Sequence, residues 1–304
     1  MHTTHLTVGK FTFHWGSRTY LMGILNLTPD SFSGDGLLGS AAEERQAAGE
    51  ALQQALDQAR RFVAAGVDIL DMGGESTRPG AAIVSQQEEL DRVMPVINAL
   101  ASELDVLISI DTYKSGVAEA ALQAGAHMVN DVWGLHADPR LADVVARYQA
   151  PVILMHNRSS WANAEIKERL GGRYIGVPYN SLLEDIGNEL LESVALARAA
   201  GVPDEAIILD PGIGFGKTVE QNLELINHLQ EIRSLGYPLL VGPSRKSFIG
   251  YTLDLPPDQR LEGTAAAVAI SIARGADILR VHDVAYMSRV ARMADAIVRH
   301  RPAE

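Results

Sequence analysis

Residues 206–217 have the sequence AIILDPGIGFGK, in which an apolar run ends on Asp210 and is followed by a proline and three alternating glycines. The apolar run predicts a buried parallel strand. Pro211 cannot extend a strand ladder, and glycines permit positive φ and the close approach of a ligand. A carboxylate at the end of a buried strand needs a partner. Asp210 therefore either caps a helix that begins near Thr218 or binds a flat polar ligand, and the proline and glycines together favour the ligand.

The same succession of apolar strand, polar or glycine-rich loop and amphipathic helix recurs along the chain. Strands are predicted at 20–26, 67–71, 106–110, 127–130, 151–155, 206–209, 238–241 and 277–281. Helices are predicted at 41–65, 86–103, 114–124, 138–149, 180–200, 218–234, 258–274 and 284–299. Eight repeats with nearly all-apolar strands favour a closed (β/α)8 TIM barrel over an open doubly wound sheet.

Residues 5–14 alternate apolar and polar side chains around Gly9, which predicts a β-hairpin that covers one end of the fold. The sequence contains no low-complexity linker and no break in composition. We therefore expect a single domain over residues 1–304, with the hairpin at 5–14 and the barrel at 20–299.

The composition limits the classes of function. The chain has 304 residues, 47% hydrophobic content and a net charge of −12, which argues against general nucleic-acid binding. No stretch approaches the length of a membrane span, and the first residues lack a secretory signal pattern. The absence of cysteine excludes disulfides and thiolate metal sites and fits a reducing cytoplasm. An anionic substrate would need a local cluster of basic side chains and backbone amides.

Polar side chains stand at the predicted strand ends, which meet at one rim of such a barrel. Asp111, Asn130 and Asp210 form a set of acceptors and donors that suits a flat heterocycle rich in N–H groups. Each could instead satisfy a loop amide or cap a helix. That alternative weakens because all three stand at strand ends.

A second set of strand-end side chains is basic. It consists of Arg78, Lys246, Arg280 and His282. Arginine binds phosphate through a planar fork, and lysine acts as a point charge. His282 follows Arg280 by two residues and points to the same face, which favours a shared anion. The alternatives are ordinary surface basicity, or a salt bridge to Asp71 or Asp283.

Asn26 ends the first barrel strand and is a weak, neutral metal ligand. A Mg²⁺ ion here would be held mostly by substrate oxygens and water, with one side-chain oxygen from the protein. The loops 27–39 and 73–84 are rich in Gly, Ser, Thr and Pro and are long enough to close over a ligand.

Five motifs in order along the chain resemble the dihydropteroate synthases, a family of pterin-binding enzymes. They are NLTPDSFS at 26–33, GGESTRPG at 73–80, DPGIGFGK at 210–217, SRK at 244–246 and RVHD at 280–283. The resemblance implies condensation of (7,8-dihydropterin-6-yl)methyl diphosphate with 4-aminobenzoate, which yields 7,8-dihydropteroate and diphosphate in folate biosynthesis. It also implies a homodimer, for which the predicted helix 258–274 is a candidate interface element.

The residues that the resemblance implies fall into groups according to the part of the substrates they contact. Asp111, Asn130, Asp210 and Lys246 hold the pterin, with Phe215 and Met155 lining its pocket. Asn26, Thr77, Arg78, Arg280 and His282 bind the diphosphate, and Asn26 does so also through Mg²⁺. Phe32, Arg78, Pro79 and Ser244 lie near the 4-aminobenzoate, which sulfonamides mimic. The implied catalytic residues are Asp210, Lys246 and Arg78.

Two other functions remain open. A pterin-dependent methyltransferase domain shares the barrel and the acidic set but has no use for the basic set that binds a diphosphate. A non-catalytic pterin-binding relative is disfavoured because every motif position is filled. The first motif departs from the family pattern, since Gly34 intervenes before the acidic Asp35, and the segment 157–178 has no assigned role.

Overall fold

Eight parallel strands form a barrel in which each strand lies beside the next one in the chain. The structure is a computed structural model that describes residues 4–28, 41–77, 81–175 and 177–299. Its strands are β1 (His5–Val8), β2 (Phe11–His14), β3 (Tyr20–Asn26), β4 (Ile69–Gly73), β5 (Leu107–Asp111), β6 (Met128–Asp131), β7 (Val152–Met155), β8 (Ala164–Lys167), β9 (Gly171–Tyr174), β10 (Ile207–Asp210), β11 (Leu240–Val241) and β12 (Ile278–Val281). A parallel bridge between Leu209 and Leu239 completes the ring of β3–β7 and β10–β12. The predicted (β/α)8 barrel is confirmed.

Helices surround the ring of strands. They are α1 (Ala41–Ala64), α2 (Gln86–Glu103), α3 (Ser115–Gln123), α4 (Leu141–Tyr148), α5 (Leu182–Ala199), α6 (Val219–Asn227), α7 (Leu229–Arg233), α8 (Ser247–Leu253), α9 (Leu261–Ala273) and α10 (Val284–Val298). Local sequence sets some of these boundaries. Ser85 and Thr218 each begin a helix with a capping box, in which the side chains of Glu88 and Gln221 return to the cap backbone. None of the helices within the described segments has the length and apolar character needed to cross a bilayer.

The strands are apolar on both faces because each face has its own core. Ile69 of β4 lies in the interior of the barrel, whereas Leu70 and Met72 pack outward with the helices. Asp71 alternates with them and faces inward, near the carboxyl end of the strand. The lower barrel is therefore filled by apolar side chains, and polar side chains collect at its upper mouth.

The N-terminal hairpin closes the opposite end of the barrel. Leu6 and Phe13 are buried in the same cluster as the interior side chains Met22 and Ile69. The ring of Phe13 lies 4.7 Å from that of Tyr20, the first residue of β3. The hairpin thus covers the amino ends of the strands and leaves their carboxyl ends open, which is where ligands bind in this architecture.

The structure differs from the predicted elements in three places. The predicted helix 218–234 is divided at His228 into α6 and α7. The predicted helix 258–274 begins at 261, and the short α8 precedes it. The segment 157–178 contains the hairpin β8–β9. Helix α8 escaped prediction because its sequence, SFIGYTL, has low intrinsic helix propensity and depends on tertiary packing.

Candidate active site

A buried carboxylate, Asp71, connects several strands at the mouth of the barrel. Its Oδ2 accepts hydrogen bonds from Arg280 Nε at 2.6 Å and from Asn130 Nδ2 at 3.1 Å. Arg280 also donates from Nη2 to Asp111 Oδ2 at 2.6 Å. These residues lie on β4, β5, β6 and β12, so the contacts bring Asp111, Asn130 and Arg280 into one cluster.

The charges in this cluster act strongly on one another because water is largely excluded. Burial raises the pKa of Asp111 to about 7, even though the charge of Arg280 acts in the opposite direction. Burial alone would lower the pKa of Arg280, but the carboxylates of Asp71 and Asp111 outweigh it and raise that pKa. Arg280 therefore remains a cation. Its Nε and Nη2 donate to the two carboxylates.

The glycine-rich loop after β10 turns sharply around Asp210. Gly212, Gly214 and Gly216 all have positive φ, at +71°, +82° and +61°. Asp210 Oδ1 accepts a hydrogen bond from the Gly212 N–H at 2.7 Å, whereas α6 is capped by Thr218. The alternative in which Asp210 caps that helix is therefore wrong. Burial raises the pKa of Asp210, which the charge of Lys246 opposes.

Lys246 reaches across the mouth to the same loop. Its ammonium group donates to the Ile213 carbonyl and lies 4.5 Å from the centre of the Phe215 ring. Burial lowers the pKa of Lys246 to about 8, and the nearby Asp210 limits that decrease. Asp210, Phe215 and Lys246 thus offer an acceptor, an aromatic face and a donor to one flat ligand.

Another lysine, Lys217, supports the glycine-rich loop from below and is only 2% exposed. Its Nζ donates to the carbonyls of Gly212 at 3.0 Å and Phe215 at 3.1 Å, and to His156 Nδ1 at 2.9 Å. Burial, followed by the charge of Lys217, lowers the pKa of His156 to about 2. The neutral ring can therefore accept from Lys217 while its Nε2 donates to Glu189 at 3.0 Å. This chain fixes the backbone on both sides of Gly214.

Ser244 and His282 meet on the other side of the mouth. Ser244 Oγ accepts from the His282 backbone N–H at 3.2 Å and lies 3.1 Å from His282 Nδ1. Between Ser244 and Lys246, Arg245 forms an ion pair with Asp283. The basic side chain that pairs with Asp283 is therefore Arg245, while Lys246 and His282 face the cluster around Arg280.

Some of the remaining predicted site residues lie within the described segments, and their strands fix their positions. Met155 is buried at the end of β7, in register with Asp210. Asn26 ends β3 and is in register with Gly73, and Thr77 lies in the loop after β4. Phe32, Arg78, Pro79 and Gly34 lie outside the described residues, as do most of the loop 27–39 and part of the loop 73–84.

The donor set fits a weakly bound Mg²⁺ ion near Asn26. An amide oxygen is a hard ligand of the kind that Mg²⁺ accepts. Next to it, Gly73 has no side chain, and a Cβ there would contact Asp111, at 3.4 Å from the Cβ of that residue. Within the described segments, no group of three His, Cys, Asp or Glu side chains forms a metal cage. Most ligands of such an ion would come from the substrate and water.

Sequence reasoning named Asp71 only as a salt-bridge partner, although it is the centre of the cluster. Asp71 is a carboxylate inside an otherwise apolar strand. Because a buried carboxylate requires partners, this pattern could have indicated its role. Lys217 lies within the DPGIGFGK motif and His156 directly follows the strand predicted at 151–155, but neither has a predicted role. Their contacts are to carbonyls and to each other, for which the sequence offers no spacing rule.

Comparison with known proteins agrees with this geometry. Residues 22–282 match the model of the family described as pterin binding enzyme. The chain belongs to the pterin-binding enzymes. This pterin-binding enzyme is 48% identical to the dihydropteroate synthase of Clostridium beijerinckii over 295 residues, which cover 97% of the chain and 100% of the relative.

Solved structures give the same assignment. Dihydropteroate synthase from Clostridium difficile, crystallised in the presence of pteroic acid, is 47% identical with a TM-score of 0.83, covering 95% of this chain and 100% of the other. The Xanthomonas albilineans enzyme, with 4-aminobenzoic acid, is 36% identical with a TM-score of 0.83, covering 97% and 98%. These relatives place this pterin-binding enzyme among the dihydropteroate synthases.

We expect the substitution Gly212→Ala to destabilise the protein more than Gly201→Ala. Both glycines have positive φ, which costs alanine about 1–2 kcal/mol. At Gly201 nothing lies within 4 Å of a built Cβ, whereas at Gly212 the His156 carbonyl oxygen would lie 1.9 Å away. The resulting displacement should cost about 1–3 kcal/mol more.

The measurement is the free energy of unfolding from urea denaturation of both variants and the unaltered protein. Gly201→Ala serves as the control for the dihedral cost alone. Equal losses of stability would show that the close approach of the glycine-rich loop to His156 is not a constraint.

Proposed function

We propose that this pterin-binding enzyme condenses (7,8-dihydropterin-6-yl)methyl diphosphate with 4-aminobenzoate to give 7,8-dihydropteroate and diphosphate, a step of folate biosynthesis. One observation carries the proposal. Asp210, Lys246 and Phe215 lie together at the same mouth where Arg280 is held by two carboxylates. A ring site and a cationic site side by side match a pterin joined to a diphosphate.

The acidic side of the mouth suits the pterin. A pterin presents N–H and NH₂ donors on one edge, and Asp210, Asp111 and Asn130 supply oxygens at the ends of three strands. Lys246 and Phe215 lie together, so a ring stacked on Phe215 would be within reach of the ammonium group. Met155, buried beside Asp210, provides an apolar wall.

The basic side of the mouth suits the diphosphate. Arg280 keeps its charge because Asp71 and Asp111 stabilise the guanidinium. Ser244 Oγ contacts both the backbone N–H and the ring Nδ1 of His282, which restricts the orientation of the ring. Thr77 and, by resemblance, Arg78 complete the group from the loop after β4.

The proposed reaction breaks the bond between the exocyclic methylene carbon and the diphosphate oxygen, and the electron pair leaves with the oxygen. Arg280, His282 and Lys246 stabilise the negative charge that develops on the leaving group. The carbon gains positive character that the pterin ring shares, and the carboxylate of Asp210 stabilises that charge. The 4-aminobenzoate nitrogen then forms the C–N bond and loses a proton. No covalent enzyme intermediate is required.

Mg²⁺ is the expected cofactor, and Asn26 is the side chain that would hold it. When bound, the ion would neutralise part of the diphosphate charge. The 4-aminobenzoate would lie toward Ser244, together with Phe32, Arg78 and Pro79 by resemblance. The same region would accept sulfonamides.

A pterin-dependent methyltransferase is the alternative. Its substrate carries no diphosphate, so Arg280 and His282 would have no ligand to bind. A pterin-binding protein without activity would differ by failing to release diphosphate.

We expect the purified protein to release diphosphate from the pterin diphosphate only when 4-aminobenzoate and Mg²⁺ are present. Asp210→Asn should lower kcat/KM about 10²–10³-fold, the usual cost of losing one electrostatic contact to a transition state. A coupled diphosphate assay measures both effects, and thermal unfolding reports stability.

Asp204→Asn is the matched control, because Asp204 pairs with Arg198 on the exposed surface. Its turnover should be within about twofold of that of the unaltered protein, since an exposed ion pair contributes little to stability. The proposal fails if 4-aminobenzoate does not stimulate release. The role of Asp210 fails if Asp210→Asn is fully active or unfolded.

We expect kcat/KM to fall as the pH rises through about 8. Lys246 has a lowered pKa of about 8, so its ammonium form, which donates to the ligand, is lost above that pH. Lys246→Arg should have lower activity but no decrease near pH 8, because a guanidinium stays protonated.

The measurement is kcat/KM for the pterin substrate between pH 6.5 and 9.5, a range of about 1.5 units on each side of that pKa. Comparing the two enzymes removes any contribution from titration of the substrate. A decrease that persists unchanged in Lys246→Arg would belong to a different group.

We also propose a homodimer that acts in the cytoplasm. Apolar side chains are exposed on three helices that pack in sequence around one side of the barrel, α6, α9 and α10. They are Leu223, Ile270 and Met293, at 43%, 47% and 63% exposure. Clustered exposed apolar groups are typical of a protein interface. The absence of cysteine fits a reducing compartment.

Sedimentation velocity should show a dimer that Ile270→Glu converts to a monomer, because a buried charge without a partner opposes association. Ile166→Glu is the control, since Ile166 is 57% exposed on β8, away from these helices. A monomeric parent protein, or a dimer that Ile270→Glu leaves intact, would contradict the proposed interface.

A further inference from the structure

The hairpin β8–β9 and helix α8 are in direct contact. Tyr251 of α8 donates from its hydroxyl to the Gly171 carbonyl at 3.2 Å, and the guanidinium of Arg173 lies 4.5 Å from the centre of the Tyr251 ring. Lys246 is the residue immediately before α8. The hairpin therefore packs on the helix whose first turn follows the lysine at the mouth.

One buried side chain, Arg260, joins this hairpin to the backbone beside Lys246. It is 2% exposed. Its guanidinium donates to three carbonyls: Leu170 at 2.9 Å, Arg245 at 3.0 Å and Leu255 at 3.1 Å. Leu170 lies in the turn between β8 and β9, Arg245 precedes Lys246, and Leu255 follows α8. A single planar group thus fixes three segments that are distant in sequence.

The turn at Arg245 needs such support. Arg245 has φ of +56°, a left-handed conformation that is unfavourable for a residue with a side chain. Its N–H donates to Thr264 Oγ1 at 3.1 Å, and its carbonyl is the one that Arg260 binds. Holding both backbone groups of this residue fixes the direction in which the next residue, Lys246, leaves the turn.

We propose that Arg260, anchored by the hairpin β8–β9, is a positioning residue that sets the place of Lys246 over the ring site. The inference rests on the proposed function and gives the segment 157–178 a role in it. The helix α8 lies directly on the guanidinium, since a Cβ on Gly250 would be 2.2 Å from Arg260 Nη2. Arg260 therefore links the helix, its preceding turn and the hairpin.

This placement matters because Lys246 works at close range. Its ammonium group lies 4.5 Å from the Phe215 ring centre, and a misplacement of about 1 Å can cost 10²-fold in rate. The charged groups that act on Lys246 are Asp210, Asp111, Arg280 and Lys217. The pH at which Lys246 loses its proton therefore depends on its position among these groups.

The test compares three variants of the full-length enzyme. Arg260→Met keeps an unbranched stem but removes all three contacts. Tyr251→Phe removes only the hydrogen bond to Gly171. Arg147→Ala is the control, because it removes an exposed ion pair with Glu119 between α3 and α4. The parent enzyme, assayed alongside, establishes whether the proposed function itself holds.

For Arg260→Met we expect kcat/KM for the pterin substrate to fall about 10- to 100-fold. The alkaline decrease should move above pH 8, because a displaced ammonium group is better solvated. Tyr251→Phe should produce a smaller shift in the same direction, and Arg147→Ala should match the parent. A purely structural role would lower the folded fraction without moving the pH profile.

The inference is overturned if folded Arg260→Met keeps the parent profile, whether or not its activity falls. If Arg260→Met does not fold, Tyr251→Phe becomes the deciding variant. An unchanged pH profile of Tyr251→Phe then overturns the inference. An inactive parent enzyme would instead contradict the proposed function, which keeps the two failures distinct.

Discussion

The mouth of the barrel depends on the pairing of Asp71 with Arg280. A lone carboxylate inside a barrel would be too costly to bury, and removing one partner of a buried pair leaves the other uncompensated. The two residues are 209 positions apart in sequence. They meet only when β12 lies beside β3 and β3 beside β4. The pairing of the last barrel strand with the first therefore brings the two halves of the cationic site together.

The site holds its cations in two different ways. Arg280 contacts carboxylates, which keep it protonated but offset its charge. Lys217, Lys246 and Arg260 contact backbone carbonyls, which orient a cation without cancelling it. Burial without a carboxylate in contact lowers the pKa of both lysines. Arg280 therefore keeps its positive charge, whereas the two lysines lose their protons more readily than free lysine does, and their carbonyl contacts fix where each Nζ lies.

The barrel could be predicted from the sequence because its signals are local and repeated. Each repeat places an apolar run before a polar loop, and glycines or caps such as Ser85 mark the helix ends. The hairpin at 5–14 could be predicted as well, because its apolar and polar side chains alternate. Helix α8 and the hairpin β8–β9 could not be predicted in this way, since SFIGYTL has low helix propensity and β9 begins with two glycines, which disfavour a strand. Their stability comes from Tyr251 and Arg260, which are distant in sequence from the hairpin.

The residues of the candidate site also fall into a group that could be predicted from the sequence and a group that could not. Residues that would touch substrate, such as Asp210, Lys246 and Arg280, lie at strand ends or in the loops after them and carry distinctive chemistry, so a barrel prediction already assembles them. Residues that position them, such as Lys217 and Arg260, act on backbone carbonyls. Every residue supplies a carbonyl, so no pattern of residue types can reveal such a contact in advance. A sequence can therefore name the groups that bind, while the geometry that makes them effective depends on interactions that have no sequence signature.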